Sequence, residues 1–200
     1  LYCRGLPKAK GCVILVISRK DGDTLLQIRE LTTKEIQTFY HDRMKHDFPS
    51  NERKPLAMML SLVKKGMYHG IGLWEEGRLL AYAFLASADA GGWLLLDYFA
   101  VREDLRGSGF GSSFLRLVQE RYRYTAGILV EAESIRSAKR QSEREVREKR
   151  IRFYRRNSME PAGFYCFLFG VEYEILFLPC DGYRTALPPI EGLLGIYRKI

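Results

Sequence analysis

The sequence lacks the long apolar run of a membrane protein, because none of its hydrophobic stretches approaches the roughly 20 residues that a spanning helix needs. It also lacks internal repeats and low-complexity segments, so neither a repeat array nor a disordered chain is expected. The rest is ordinary for a globular protein: 200 residues, 46% hydrophobic, 28% charged and 12% aromatic. A chain of this size forms one domain, or one domain with an appendage.

Cysteine and histidine are scarce, which bears on metal sites and on redox compartment. No C-x-x-C pair occurs, and the histidines do not cluster with the cysteines, so no metal site is expected. So few cysteines indicate a reducing, cytoplasmic setting with unpaired thiols. The residues concerned are Cys3, Cys12, Cys166, Cys180, His41, His46 and His69.

Acidic residues are outnumbered, and the formal net charge is +8. Three explanations stay open: a polyanionic cofactor, a nucleic acid, or ordinary solvation. Basic residues are dense in 134–156, where interspersed glutamates provide the three- and four-residue spacings of a solvated helix. The sequence offers no aromatic stacking platform or nucleic-acid motif beside them, so a nucleic-acid partner is not expected.

Hydrophobic periodicity predicts the element order β-α-α-β-β-β-α-β-α-β-β, which is an α/β fold with a mixed sheet. Residues 1–23 form an N-terminal extension or an extra strand, and 24–200 form the main domain. Thr32 and Glu35 have the spacing of a capping box at the first helix. Ser142 and Glu145 have the same spacing and predict the start of a later helix.

The predicted elements alternate between the two periodicities along the chain. The strands are 25–31, 68–74, 79–86, 93–101, 127–133, 164–169 and 172–178. The helices are 32–45, 55–65, 109–124 and 142–157, with 190–200 a short helix or strand.

A glycine-rich loop follows the apolar strand 93–101 and leads directly into a helix. Its residues are Arg106, Gly107, Ser108, Gly109, Phe110 and Gly111. Glycines let the backbone approach a ligand, and the first amides of a helix lack internal partners, so the loop is suited to a pyrophosphate. Arg106 adds a fixed positive charge. The spacing differs from the dinucleotide fingerprint, and no lysine follows Gly111 as a P-loop requires.

The pattern Arg-x-x-Gly-x-Gly at Arg106, Gly109 and Gly111, with the surrounding element order, resembles the GNAT acetyltransferases over about residues 25–178. The resemblance implies a GNAT-type mixed central sheet flanked by helices, with a splayed central strand that binds acyl-CoA. It implies transfer of an acetyl group from acetyl-CoA to a primary amine of a small molecule or peptide. This family often forms dimers, so a homodimer is one of the expected states.

The resemblance also assigns cofactor contacts. Backbone groups of the strand end would pair with the pantetheine arm, and loop amides would hold the pyrophosphate. The strand residues are Phe99, Ala100 and Val101, and the loop residues are Gly107, Ser108, Gly109, Phe110, Gly111 and Ser112. Asn157, at the end of the later helix, is a further expected contact.

By the same resemblance, Tyr154 is the proton donor to the departing thiolate. A phenol has an ordinary pKa near 10 and can protonate a sulfur as it leaves. The sequence departs from the family pattern nearby. Arg147 stands where the family often has asparagine, and Ser158 stands where its turn often has glycine.

A base must deprotonate the acceptor ammonium before attack. Asp97 lies inside an apolar strand, where a carboxylate is costly unless it is paired or functional. Glu131 and Glu133 lie two apart on the neighbouring strand and share a face. Asp97 or Glu131, directly or through a water, is the expected base, and a structural role for Asp97 is the alternative.

The family resemblance places the acceptor against the first two helices and their loop, which contain His46, Asp47, Phe48, Met58 and Met59. An acidic loop residue could steer a cationic amine, and a plain charged loop is the alternative. A second function class also stays open. A GNAT-like fold could bind acyl-CoA, a nucleic acid or a partner with little catalysis.

Overall fold

The computed structural model describes residues 15–18, 25–89 and 92–200. Its contacts divide the chain into two compact units. The first takes the residues up to Ala86 together with Tyr98–Arg121, and the second takes Ser87–Asp97 with Tyr122–Ile200. Strands alternate with helices in both units, and parallel and antiparallel pairings occur, so the predicted mixed α/β fold is confirmed. Within the described ranges, no helix is long and apolar enough to cross a membrane.

The first unit contains an antiparallel run of four strands in the order β1-β2-β3-β4. These are β1 (Leu15–Ser18), β2 (Leu25–Glu30), β3 (Tyr68–Glu75) and β4 (Arg78–Ser87). Of the segment 1–23 the structure describes residues 15–18, which form a strand that pairs with β2. Residues 1–14 and 19–24, with Cys3 and Cys12, lie outside the described residues.

Helices of the first unit begin where the sequence predicts but do not all end there. They are α1 (Thr33–Phe39), a π-helical turn (Tyr40–Met44), α2 (Lys45–Asp47), α3 (Leu56–Lys64) and α4 (Phe110–Arg121). The capping box is confirmed: Glu35 N–H donates to Thr32 Oγ1 at 3.2 Å, and Thr32 N–H donates to Glu35 Oε2 at 2.8 Å.

The prediction of one α-helix ending near Lys45 was wrong. The helical path includes a π turn and runs on to Asp47. A π turn takes more residues than an α turn, so a fixed period of 3.6 residues misplaces the end of the helix. The prediction that α4 reaches Tyr124 was also wrong. Thr125 N–H donates to the Tyr122 carbonyl at 2.9 Å, so the chain already turns there.

Aromatic rings fix the loop between α2 and α3 on strand β5 (Trp93–Val101). The Tyr98 hydroxyl donates to the Glu52 carbonyl at 2.7 Å and accepts from Lys54 N–H at 2.8 Å. Phe48 packs edge-on against Tyr98 at 4.9 Å between ring centroids. This tether holds the chain that directly follows Asp47.

In the second unit, the first half of β5 pairs in parallel with β6 (Gly127–Glu133), and the order continues β5-β6-β8-β7 with antiparallel pairs. The other strands are β7 (Glu160–Leu168) and β8 (Val171–Pro179), and the helices are α5 (Gln141–Arg156) and α6 (Pro189–Tyr197). Of the two alternatives predicted for the C-terminal segment, helix and strand, the structure has the helix.

Two boundaries in this unit correct the sequence predictions. Helix α5 starts at Gln141 after Arg140, so Ser142 lies inside its first turn and does not cap it. The Glu143 carboxylate accepts from Lys139 N–H at 3.0 Å, just ahead of the helix. Strand β7 starts at Glu160, four residues early, and its register shifts between Pro161 and Tyr165. A proline and a bulge within an edge strand hide the alternation that marks a strand.

Trp93 anchors the C-terminal helix to the second unit. Its Nε1–H donates to the Leu187 carbonyl at 2.8 Å, and its ring packs edge-on against Phe177 at 5.9 Å. A Cβ at Gly192 would come within 2.0 Å of Trp93 Cδ1, so glycine permits this close approach of α6.

Candidate active site

The glycine-rich loop has the backbone conformation that its sequence predicts. Gly107 and Gly109 have φ angles of 84° and 86°, in the left-handed region that disfavours other residues. A Cβ on either residue would meet no heavy atom within 4 Å, so conformation and not crowding calls for glycine. Residues 106–109 are all exposed, and the space in front of the loop is open.

The loop amides converge on the start of α4. Ser108 N–H donates to the Leu105 carbonyl at 3.3 Å, and Ser113 N–H makes the first α-helical bond, to the Gly109 carbonyl at 3.1 Å. The amides of the first helical turn between them have no partner inside the helix. Such amides, together with the helix dipole, are the feature that suits a helix start to an anion. The structure therefore brings the predicted pyrophosphate group, Gly107–Ser112, together at one helix end.

The strand residues predicted to bind the pantetheine arm lie directly ahead of this loop in the same unit. Phe99 stacks on Phe114 of α4 at 5.4 Å, and Ala100 is buried. The Val101 carbonyl accepts a hydrogen bond from Arg106 Nε at 3.2 Å. The loop is thus fastened to the end of β5.

Arg106 has a second protein partner. Its Nη2 lies 3.5 Å from Asp47 Oδ1, with the arginine side chain 55% exposed and the aspartate 18% exposed. At this distance the contact is an ion pair and not a good hydrogen bond. Arg106 therefore links the glycine-rich loop to the end of α2.

Asp47 lines a pocket of about 270 Å³ in the first unit, called the Asp47 pocket below. Its lining residues are Asp42, Arg43, His46, Asp47, Leu79, Leu80, Ala81, Tyr82, Arg102 and Glu103. Two of the five predicted acceptor-side residues, His46 and Asp47, are brought together here. Phe48 packs on Tyr98, and Met59 is buried.

Sequence reasoning missed Tyr82, which fixes the carboxylate of Asp47. The Tyr82 hydroxyl donates to Asp47 Oδ2 at 2.8 Å across 35 residues of chain. Burial, and then this hydrogen bond, raises the pKa of Tyr82 well above its usual range, so the hydroxyl stays a donor. A tyrosine inside an apolar strand run carries no signal that separates a pocket residue from a core residue.

Asp97 and Glu131 occupy equivalent places on neighbouring strands of the second unit. The recorded parallel pairing has Leu95 opposite Leu129 as its last pair, and each carboxylate lies two residues further along. Their side chains therefore point to the same face. Both are half-buried in strands whose other residues are mostly buried.

Glu131 has a thiol neighbour. Cys166 Sγ lies 4.0 Å from Glu131 Oε1 and 3.8 Å from the Tyr197 hydroxyl oxygen. Burial, and then the charge of Glu131, raises the pKa of Cys166 to about 12. The thiol is therefore protonated at neutral pH and acts as a weak donor rather than a nucleophile.

Glu133 is committed to structure instead. Its two oxygens accept from Arg147 Nη2 at 3.1 Å and Arg150 Nη1 at 2.9 Å. Arg147 Nη1 also donates to the Ser134 carbonyl at 2.8 Å and to Ser137 Oγ at 3.1 Å. The arginine that departs from the family pattern thus ties α5 to the end of β6.

Tyr154 lies near the end of α5 and is 8% exposed. Burial raises the pKa of Tyr154. Among the described residues its hydroxyl has no hydrogen-bond partner. Helix α5 ends just after Tyr154, with Asn157 as its C-cap. Asn157 Nδ2 donates to the Phe153 carbonyl at 2.7 Å, and Ser158 has a φ of 66°.

Within the described ranges, no group of three His, Cys, Asp or Glu side chains is placed to hold a metal ion.

Comparisons with known proteins bear on the fold. No protein-family model and no curated protein matches the sequence. A Bacteroides thetaiotaomicron structure assigned to the GNAT acetyltransferases aligns with a TM-score of 0.63 at 18% identity, over 86% of this chain and 94% of its own.

Two further structures extend the likeness. The ribosomal-protein-S18-alanine N-acetyltransferase of Escherichia coli aligns with a TM-score of 0.56 at 18% identity, over 77% of this chain and 93% of its own. Aminoglycoside acetyltransferase AAC(6')-Ib, in complex with coenzyme A and kanamycin, gives 0.58 at 13% identity, over 80% and 98%. The chain therefore has the fold of the GNAT-family acetyltransferases, as its glycine-rich loop predicts.

Proposed function

We propose that the protein is an acetyl-CoA-dependent N-acetyltransferase acting on a primary amine of a small molecule or peptide. The observation that carries the proposal is the loop Arg106–Gly111. It holds two left-handed glycines at the start of the 12-residue helix α4, directly after β5, in a chain with this fold. The open space at both glycines and the guanidinium of Arg106 fit a pyrophosphate.

Acetyl-CoA supplies the acetyl group as a reactive thioester. In this proposal the amides of Gly107–Ser112 hold the pyrophosphate, the backbone of Phe99–Val101 pairs with the pantetheine arm, and Asn157 adds a contact. Binding both substrates in fixed positions accounts for most of the rate. The proposed acetyl transfer uses no metal ion.

The proton transfers fall to residues of the second unit. Asp97 or Glu131 takes a proton from the acceptor ammonium, because only the neutral amine has a lone pair for attack. As the new N–C bond forms and the C–S bond breaks, Tyr154 donates its hydroxyl proton to the leaving sulfur. The nitrogen then loses its second proton, which returns to the Tyr154 oxygen, so the products are a neutral amide and the coenzyme A thiol. Burial raises the pKa of Tyr154, so its hydroxyl carries the proton to be donated throughout the neutral range.

The acceptor belongs to the amine class, and the structural neighbours suggest where to look. One neighbour is named for a protein alanine, and another was solved with kanamycin. Kanamycin and a short peptide with N-terminal alanine therefore form the first amine panel.

Calorimetric titration with acetyl-CoA tests the proposal. The wild type is expected to bind saturably, and an Arg106→Ala, Gly109→Ala variant to bind at least about 10-fold more weakly, because it loses a charge-assisted contact and strains the loop. Gly170→Ala is the matched control. Gly170 also has a left-handed φ, 82°, and open space, but lies in the turn between β7 and β8. No binding by the wild type at near-millimolar acetyl-CoA contradicts the proposal.

A second candidate function is binding of single-stranded RNA on a GNAT-like fold. Residues 136–156 contain ten Lys and Arg against three Glu. Tyr165 and Phe167 on β7 and Phe169 in the following turn are 44%, 72% and 99% exposed, and the Arg136 guanidinium lies 4.5 Å from the Tyr165 ring centre. The structure thus presents an aromatic row that the sequence prediction of no stacking platform overlooked.

Titration of a fluorescent oligouridylate at two salt concentrations tests this candidate. Stacking predicts a loss of about 5-fold or more for Phe167→Ala, and phosphate contacts predict weaker binding at higher salt. Binding that is insensitive to both changes, or absent, removes the candidate and leaves the acetyltransferase proposal untouched.

A further inference from the structure

Three contacts link the Asp47 pocket to the cofactor loop. Asp47 Oδ2 is held by the Tyr82 hydroxyl at 2.8 Å, and Asp47 Oδ1 faces Arg106 Nη2 at 3.5 Å. Arg106 Nε in turn donates to the Val101 carbonyl at 3.2 Å. The two oxygens of the Asp47 carboxylate therefore have different partners. The hydrogen bond to Oδ2 fixes the carboxylate in the pocket, and Oδ1 pairs with Arg106 of the loop.

The charged side chains that line the pocket leave its net charge dependent on the state of Asp47. Its acidic residues are Asp42, Asp47 and Glu103, and its basic residues are Arg43 and Arg102. Arg102 forms a two-point ion pair with Asp104, which is not part of the lining. Asp47 shares its charge with Arg106 from outside the lining. The net charge that an entering group meets therefore depends on whether Arg106 stays beside Asp47.

A pyrophosphate competes for the same guanidinium. Arg106 is the first residue of the loop whose amides form the proposed anion site. Its side chain is 55% exposed, and its contact with Asp47 is long at 3.5 Å. Phosphate oxygens accept two parallel hydrogen bonds from a guanidinium and carry more charge than one carboxylate. Tyr82 is a buried residue of β4, so its hydroxyl stays where it is when the Arg106 side chain moves. Asp47 thus stays in place when Arg106 turns to the phosphate.

We propose that Arg106 leaves Asp47 and binds the pyrophosphate when the cofactor binds. Asp47 then receives a cationic group of the acceptor in the Asp47 pocket. This change of partner is called the exchange. The proposal rests on the proposed function. It gives the pocket a substrate class, an amine with a positively charged group at or beyond the reacting nitrogen. It also makes cofactor and acceptor binding mutually favourable, since coupling between two sites is reciprocal.

The affinity for coenzyme A, which has the pyrophosphate but no acetyl group to transfer, measures the exchange directly. In about 0.01 M salt, where the screening length is roughly 30 Å, Asp47→Asn removes the competitor for Arg106. Binding is expected to tighten by roughly two- to five-fold, the size of effect that an exposed ion pair has. In an Arg106→Gln background, the same substitution is expected to change affinity by less than about 1.5-fold, because no guanidinium remains to be released.

Asp104→Asn is the matched control for general electrostatics. It removes the same charge two residues from Arg106, but Asp104 pairs with Arg102. Tightening that is equal in Asp47→Asn and Asp104→Asn, or equal in both Arg106 backgrounds, overturns the exchange. Absence of coenzyme A binding by the wild type contradicts the proposed function itself, so the two failures are distinguishable.

The pocket half of the proposal has its own probe, 1,4-diaminobutane. Calorimetry on wild-type protein saturated with coenzyme A is expected to show diamine binding roughly two- to five-fold tighter than on free protein, by reciprocity. The gain is expected to be lost in Asp47→Asn. Equal diamine affinity with and without coenzyme A overturns the exchange, and no diamine binding in either state overturns the cationic assignment of the pocket.

Discussion

Replacing Tyr154 by phenylalanine separates catalysis from packing, because the hydroxyl is the only group removed. The ring lies near the end of α5 and is 8% exposed, and among the described residues the hydroxyl has no hydrogen-bond partner. Removing a hydroxyl that makes no hydrogen bond to another described residue costs no such bond. The free energy of unfolding is therefore expected to change by less than about 1 kcal/mol.

The effect on catalysis should be much larger. A positioned general acid contributes about 10²- to 10⁴-fold to rate, so kcat with a reactive member of the amine panel is expected to fall at least about 100-fold. The affinity for acetyl-CoA is expected to stay within about 2-fold, because protonation of sulfur belongs to the transition state. Release of the coenzyme A thiol, followed with a thiol reagent, measures the rate, and urea unfolding measures stability.

The pH dependence follows from the direction of the pKa shift. Burial raises the pKa of Tyr154, so the hydroxyl is protonated at and below its ordinary value near 10. The part of the rate that depends on Tyr154 is therefore present throughout the neutral range, and it is lost only as pH rises through the raised pKa. A rate that falls between pH 7 and 9 because of Tyr154 would be the opposite of this expectation.

Tyr183→Phe provides the comparison. Tyr183 lies in the same unit, is 39% exposed, and stacks on Phe177 at 5.5 Å between ring centroids. The same chemical change there is expected to leave kcat within about 2-fold. If Tyr154→Phe also keeps kcat within about 3-fold, Tyr154 is a packing residue and the assignment of the acid is wrong.

Three further substitutions test the geometry. Gly109→Ala is expected to lower the free energy of unfolding by about 1–2 kcal/mol in urea titrations, because its φ is 86°; no loss would show that the loop relaxes freely. Ser158→Gly is expected to raise it by about 0.5–1 kcal/mol, because Ser158 ends α5 with a φ of 66°, where glycine is favoured. The hydrogen bond from Arg29 lowers the pKa of Glu35 to about 2, so its stabilisation is present above about 4.5 and is lost as pH falls toward 2. Glu35→Gln should lower stability at pH 7 and remove that part of the acid dependence, and parallel curves for both proteins would contradict the assignment.

Local signals explain why the position and conformation of the glycine-rich loop could be predicted from the sequence. Strand β5 is predicted residue for residue at 93–101, because an almost continuous apolar run ends in charged residues there. The left-handed conformations of Gly107 and Gly109 follow from the restriction that other residues face. Each of these features depends on neighbours only a few positions away.

The Asp47 pocket could be predicted only in part, because its geometry depends on distant pairs. Its tyrosine and aspartate are 35 residues apart, and its link to Arg106 joins α2 to a loop beyond β5. Periodicity marks Tyr82 as a strand residue without indicating which polar group its hydroxyl meets. Long-range side-chain pairs of this kind leave no pattern in a single sequence.

Under the proposed function, the π-helical turn Tyr40–Met44 makes chain length itself a determinant of which amine is accepted. Each residue of an α-helix advances its successor by about 100°, so a chain one residue shorter in this turn would rotate α2 by about that angle. His46 and Asp47 would leave the Asp47 pocket, although both would still be present in the sequence. Insertions and deletions between α1 and α2 are therefore a route by which this fold can change acceptors without a single substitution at the pocket.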